Sequence, residues 1–122
     1  MIRVIIPIIL IMLIIPHQNI NAPTDKFLEV IDILQDTRYY QNPTISSITF
    51  TSTQRVTEIC EMSAGHIAIG CRQPHPIWGH TFDIYIANDH PDWRATLYHE
   101  IAHVECDTEE CANEYMNAHI MK

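Results

Sequence analysis

The sequence predicts a single small α+β domain, and three observations predict it. The 122 residues are too few for a second core. Apolar residues recur at helical spacing at both ends of the body and alternate along its middle. No segment repeats and no low-complexity linker divides the chain. The elements expected are an N-terminal helix, a three- to four-stranded sheet, a helix carrying a chemical motif and a C-terminal helix.

The first segment stands apart from that body. Arg3 precedes an apolar run, Val4–Ile15, which gives way to polar residues from His17 to Asn21. The run is shorter than the ~20 residues that span a bilayer and follows the order of a secretory signal. Residues 1–22 therefore read as a signal peptide or an uncleaved membrane anchor, with the folded domain over 23–122. Pro7 and Pro16 oppose a long soluble helix there.

Within the body, Phe27, Val30, Ile31 and Leu34 mark one face of a helix that Thr24 would cap and that fades near Tyr39. Ile45–Thr51 is rich in β-branched residues and reads as a strand. Arg55–Cys60 and His66–Cys71 read as two more, joined by a turn at Ser63-Ala64-Gly65 into a hairpin that sets Cys60 opposite Cys71. Gln73–Gly79 reads as a loop, with Trp78 in it as a core anchor. Thr81–Ala87 alternates and reads as an edge strand able to pair with an extended peptide. Asp89 or His90 would cap the next helix, whose apolar face is Trp93, Leu97, Ile101 and Val104. After Asp107-Thr108 a last helix runs from Glu109 to Met121 and must fold back beside the one before it.

Charge and cysteine count narrow the function. Fifteen acidic against seven basic residues give a net charge of −8, which excludes a phosphate-binding surface and hence a nucleic-acid partner. Four cysteines in an exported domain read as two disulfides, and proximity favours Cys60–Cys71 and Cys106–Cys111. No C-x-x-C pair suggests a zinc knuckle. Export would place the protein outside the cytoplasm, secreted or held at the membrane by its N-terminal segment, and the body reads as a monomer.

The chemistry lies in His99-Glu100-Ile101-Ala102-His103, an H-E-x-x-H within a helix. Residues four apart share a helical face, so both imidazoles can bind one Zn2+ ion, and Glu100 beside them can act as general base. A third ligand must leave one position open. The start of the returning helix lies nearest His103 and selects Glu109 or Glu110, with Glu114 one turn further along. Tyr115 or His119 could donate a hydrogen bond to an oxyanion; a packed Tyr115 and a frayed His119 are the plainer alternatives. His80 is a weaker candidate for the cleft. The acidic stretches Asp89–Asp92 and Glu105–Glu110 read as a solvated face or an attractor of basic groups.

These residues resemble a minimal zincin of the gluzincin type. Together with Glu109-Glu110-Cys111-Ala112-Asn113-Glu114-Tyr115, the motif is similar to zinc peptidases whose second motif is E-x-x-A-[ND]-x-[FY], the HtpX-like and ImmA/IrrE-like groups. The resemblance covers about the last forty residues. It implies a zinc-dependent metallopeptidase with Glu100 as general base, His99, His103 and Glu109 as zinc ligands, and Asn113 supporting a ligating histidine. Five residues separate His103 from Glu109, fewer than those groups use. That spacing matches instead the metzincin pattern H-E-x-x-H-x-x-G-x-x-H, with Cys106 at the glycine and Glu109 at the third histidine. A Cys106–Cys111 disulfide would tighten that turn. Other readings are a non-catalytic zinc-binding or sensory domain, and a disulfide-stapled interaction module.

Overall fold

A computed structural model describes residues 18–60, 67–75, 77, 80–106 and 108–120. The apolar run of the N-terminal segment, the Ser63–Gly65 turn and Trp78 lie outside them. No helix among the described residues is long and apolar enough to cross a membrane. They form strands β1 (Asn19–Asn21), β2 (Ile45–Thr51), β3 (Gly70–Pro74) and β4 (Phe82–Ala87), and helices α1 (Thr24–Asp36), α2 (Thr53–Ile59), α3 (Trp93–Glu105) and α4 (Glu109–Ile120). This is the α+β architecture expected.

The sheet has the order β1-β2-β4-β3, with β1, β2 and β4 parallel and β3 antiparallel to β4. One core fills the space between sheet and helices. Val30, Ile33 and Leu34 of α1, Ile45, Ile48 and Phe50 of β2, Ile84 and Ile86 of β4, and Trp93, Leu97 and Ile101 of α3 form it. Phe50 meets Trp93 edge to face at 5.3 Å. A smaller cluster of Val56, Ala68 and Ala87 packs α2 with β4.

Several expectations are corrected. Arg55–Cys60 is helical, not a strand. Ser52 caps α2 by accepting from the Arg55 amide at 3.1 Å, and Val56 is the residue that α2 buries fully. The β-branched residues misled because Thr57 turns its hydroxyl back onto the Thr53 carbonyl, 2.8 Å away. Cys60 and Cys71 are bonded, but across the end of α2 and β3 rather than within a hairpin. The strand expected over His66–Cys71 lies later, at Gly70–Pro74, and takes in part of the predicted loop. The residue before α1 is Pro23, whose carbonyl accepts from the Lys26 and Phe27 amides; Thr24 is already helical. That helix stops at Asp36, and Arg38 follows with φ 66°. Asp89 and His90 do not cap α3, which begins after Asp92. Asp89 instead accepts from the amide and hydroxyl of Thr53, at 3.2 and 2.6 Å.

Two differences bear on function. β4 is bonded on both sides, to β2 and to β3, so it has no free edge for a peptide; among the described residues β1 and β3 are the outer strands. The alternation of Thr81–Ala87 reveals a strand but not its neighbours. The sheet also reaches back to Asn19, within the stretch that the sequence assigns to the N-terminal segment. Ile20 packs on the main core, and the Gln18 amide donates to the carbonyls of Tyr39 and Ile45, both at 2.9 Å.

Gly70 sets how closely β3 approaches α3. A Cβ there would lie 2.5 Å from Thr96 Cγ2 and 3.4 Å from Glu100 Cγ. Gly70→Val should therefore force β3 off the motif helix and cost about 1–3 kcal/mol in denaturant unfolding. A variant as stable as the parent would show that the strand has room to spare.

Candidate metal centre

α3 buries Trp93, Leu97 and Ile101 against the sheet, and this fixes its rotation. Residues two positions on from that stripe, His99 and His103, then face away from the core. They are partly buried, with side chains 28% and 18% exposed. Their Nε2 atoms stand 3.0 Å apart.

α4 runs back beside α3. Ala112, near its start, packs with Ala102 and Cys106, whereas His119, near its end, stacks on Tyr98 at 6.1 Å. Thr108 opens the helix by accepting from the Cys111 amide at 3.2 Å. This return carries Glu109 to both imidazoles. Its carboxylate oxygens lie 3.4 Å from His99 Nε2 and 3.0 Å from His103 Nε2. His99, His103 and Glu109 form a group able to hold a metal ion.

The donor set fits zinc. Zn–N and Zn–O bonds of about 2.0–2.2 Å at tetrahedral angles separate ligand atoms by about 3.3–3.6 Å. The imidazole nitrogens stand 3.0 Å apart, and the two Glu109 oxygens lie 3.4 Å from His99 and 3.0 Å from His103, so a small outward shift of each group would seat the ion. Two imidazole nitrogens and one carboxylate leave a fourth position open. Glu110 and Glu114 do not join the group; both are exposed on α4.

Glu100 lies on the adjacent face of α3 and is buried, 8% exposed. Burial pushes its carboxyl up to about 7, against the opposing pull of His103 and Arg72. Burial, then the neighbouring His103, holds His99 below its ordinary value, while Glu109 opposes the shift. Low values suit a ligand, since only neutral imidazole binds metal.

The cleft beside the group has a volume of about 470 Å³. Ile67–Gly70 form one wall, Ala95, Thr96, His99 and Glu100 the other, and Met116 closes one side. His90 and Asp92 also line it. Of the residues expected at the site, His99 and Glu100 line this cleft, whereas His103, Glu109, His80, Tyr115 and His119 do not. Tyr115 packs on the core and burial raises its hydroxyl to about 12. His119 does not fray: its Nδ1 lies 3.1 Å from Asp36 Oδ2, which also accepts from Tyr98 at 3.2 Å. Asn113 is exposed. Arg72 reaches the motif helix from β3 instead: its guanidinium donates to the main-chain carbonyl of His103 and lies 4.5 Å above the Phe82 ring. Nothing in the sequence around Arg72 signals this, because the contact spans 31 residues.

Comparison with protein-family models, with curated proteins and with solved structures finds no match to this chain.

The burial of Glu100 predicts a pH dependence in the metal-free chain. Unfolded, the carboxyl ionises near 4.5; folded, it stays neutral to about 7. Its contribution to stability is complete below the first value and lost as pH rises through the second. Glu100→Gln should thus leave stability nearly unchanged at acid pH and raise it by about 3 kcal/mol at alkaline pH. Denaturant melts at both extremes check this, and an equal effect at the two would contradict it.

Proposed function

We propose that the protein is a zinc-dependent metallopeptidase, exported from the cytoplasm. The observation that carries the reading is the convergence of His99, His103 and Glu109 on one point beside a buried Glu100. Two imidazoles, one carboxylate and an open position are the donor set of a catalytic zinc site, since a structural site is closed by four protein ligands. The two disulfides support an oxidising compartment.

When bound, zinc supplies Lewis acidity to a water and to the scissile carbonyl. Glu100 takes the proton of the attacking water and delivers it to the leaving amine. Glu100 is buried and lines the cleft, which places its carboxyl beside the substrate without exposing it to bulk solvent. The outer strand β3 is placed to hold an extended peptide by main-chain pairing, in the role that the sequence suggested for β4. Residues 67–70, leading into and opening that strand, already form a wall of the cleft.

Three variants test the division of labour. Glu100→Gln should keep zinc and lower cleavage of an unstructured protein by about 10²–10⁴-fold. Glu109→Ala should lose zinc affinity and activity together, and Glu110→Ala should change neither greatly. Cleavage by Glu100→Gln at the wild-type rate would refute the mechanism, and zinc retained at full affinity by Glu109→Ala would refute the ligand set.

A further inference from the structure

We infer that the Cys106–Cys111 disulfide is what makes Glu109 a metal ligand, so that the affinity of the His99/His103/Glu109 group follows the redox state of this bridge. The inference deepens the proposed zinc site and rests on it.

Glu109 is the least anchored of the three. Its side chain is 72% exposed, against 28% and 18% for the imidazoles, and it belongs to none of the hydrophobic clusters. Side-chain packing therefore does not hold its carboxylate at the imidazoles; the path of the backbone must. Cys106, just after α3, and Cys111, in the first turn of α4, are joined directly by the bridge, which with the packing of Ala112 on Ala102 sets that path. Cys106 follows His103 by three positions, and Cys111 follows Glu109 by two. The bond joins residues five apart, with Cα atoms 5.5 Å from each other. Cys106 is buried beside Ala102 and Ala112, so one end of the bridge is fixed in the packing between α3 and α4. The other end ties the first turn of α4 to it.

A ligand held on such a short closed loop has little conformational freedom left to lose on binding. Opening the loop returns that freedom to Glu109 while leaving His99 and His103 fixed on α3. The other bridge, Cys60–Cys71, joins α2 to β3 and closes no loop containing a ligand. Cys111 is exposed and Cys106 buried, so a small dithiol would approach the bridge from the Cys111 side. In that exchange the S–S bond breaks, two electrons and two protons arrive from the dithiol, Cys106 and Cys111 become thiols, and the reagent leaves as its own disulfide.

The test is zinc affinity of the full-length chain by competition with a chromophoric chelator. Cys106→Ala with Cys111→Ala should weaken binding by about 10–100-fold, as loss of a group that orients a ligand does. The same pair placed in a Glu109→Ala background should cause no further loss, because the bridge acts through Glu109. Cys60→Ala with Cys71→Ala should lower the melting temperature and leave affinity within about twofold. If the alanine pair does not fold, the remaining bridge in the Cys60→Ala, Cys71→Ala chain is reduced with a small dithiol and capped, with the same weakening expected. Unchanged affinity after loss of the bridge overturns the inference, as does an equal weakening with and without Glu109. A wild-type chain that binds no zinc overturns the metal reading itself, which is a separate result.

Discussion

The rotation of α3 about its own axis is the constraint on which the rest depends. Leu97 and Ile101 are fully buried against the sheet, and Trp93 locks onto Phe50. With that stripe fixed, the 3.6-residue period leaves His99 and His103 no choice of direction. They project together on the flank of the core, one turn apart. Glu100 sits between the two faces and is drawn into the protein, where β3 can press against it because position 70 is a glycine. One packing decision thus leaves two imidazoles partly exposed and one carboxyl buried.

The second partner of this arrangement is α4. Its return beside α3 rests on small residues, Ala102 and Ala112, that let the helices approach closely, and on the disulfide at their junction. At the far end Asp36 gathers His119 and Tyr98, so that the C-terminal helix is tied to α1 as well as to α3. Tyr39, just beyond α1, adds a bond to Glu105 at 3.0 Å, near the end of the motif helix. The site is held from both sides by contacts remote in sequence.

Much of this was legible in the chain. The motif helix, the returning helix and both disulfide pairings follow from short spacings or from neighbouring cysteines, and local spacing is what a sequence displays directly; spacing alone left Glu109 and Glu110 open, and the resemblance pointed to Glu109, which the fold brings to the two histidines. What it hid is non-local. The order of strands in the sheet decides that β3, not β4, lies outermost, and alternation within β4 carries no information about its partners. α2 reads as a strand because Val56, Thr57 and Ile59 are β-branched, yet a serine cap and one buried valine suffice to hold seven residues helical. β1 has three residues, of which only Ile20 turns to the core, too short a pattern to recognise. Arg72 and His90 reach the site from other elements, and Gly70 matters through what it lacks.

The central claim is that His99, His103 and Glu109 together form one zinc site. Metal analysis of the folded, oxidised chain combined with zinc-edge X-ray absorption tests it most directly. One zinc per chain is expected, bound by two imidazoles and oxygen donors and no sulfur, because all four cysteines are in disulfides. A folded chain that takes up no zinc, or a shell containing sulfur, would contradict it.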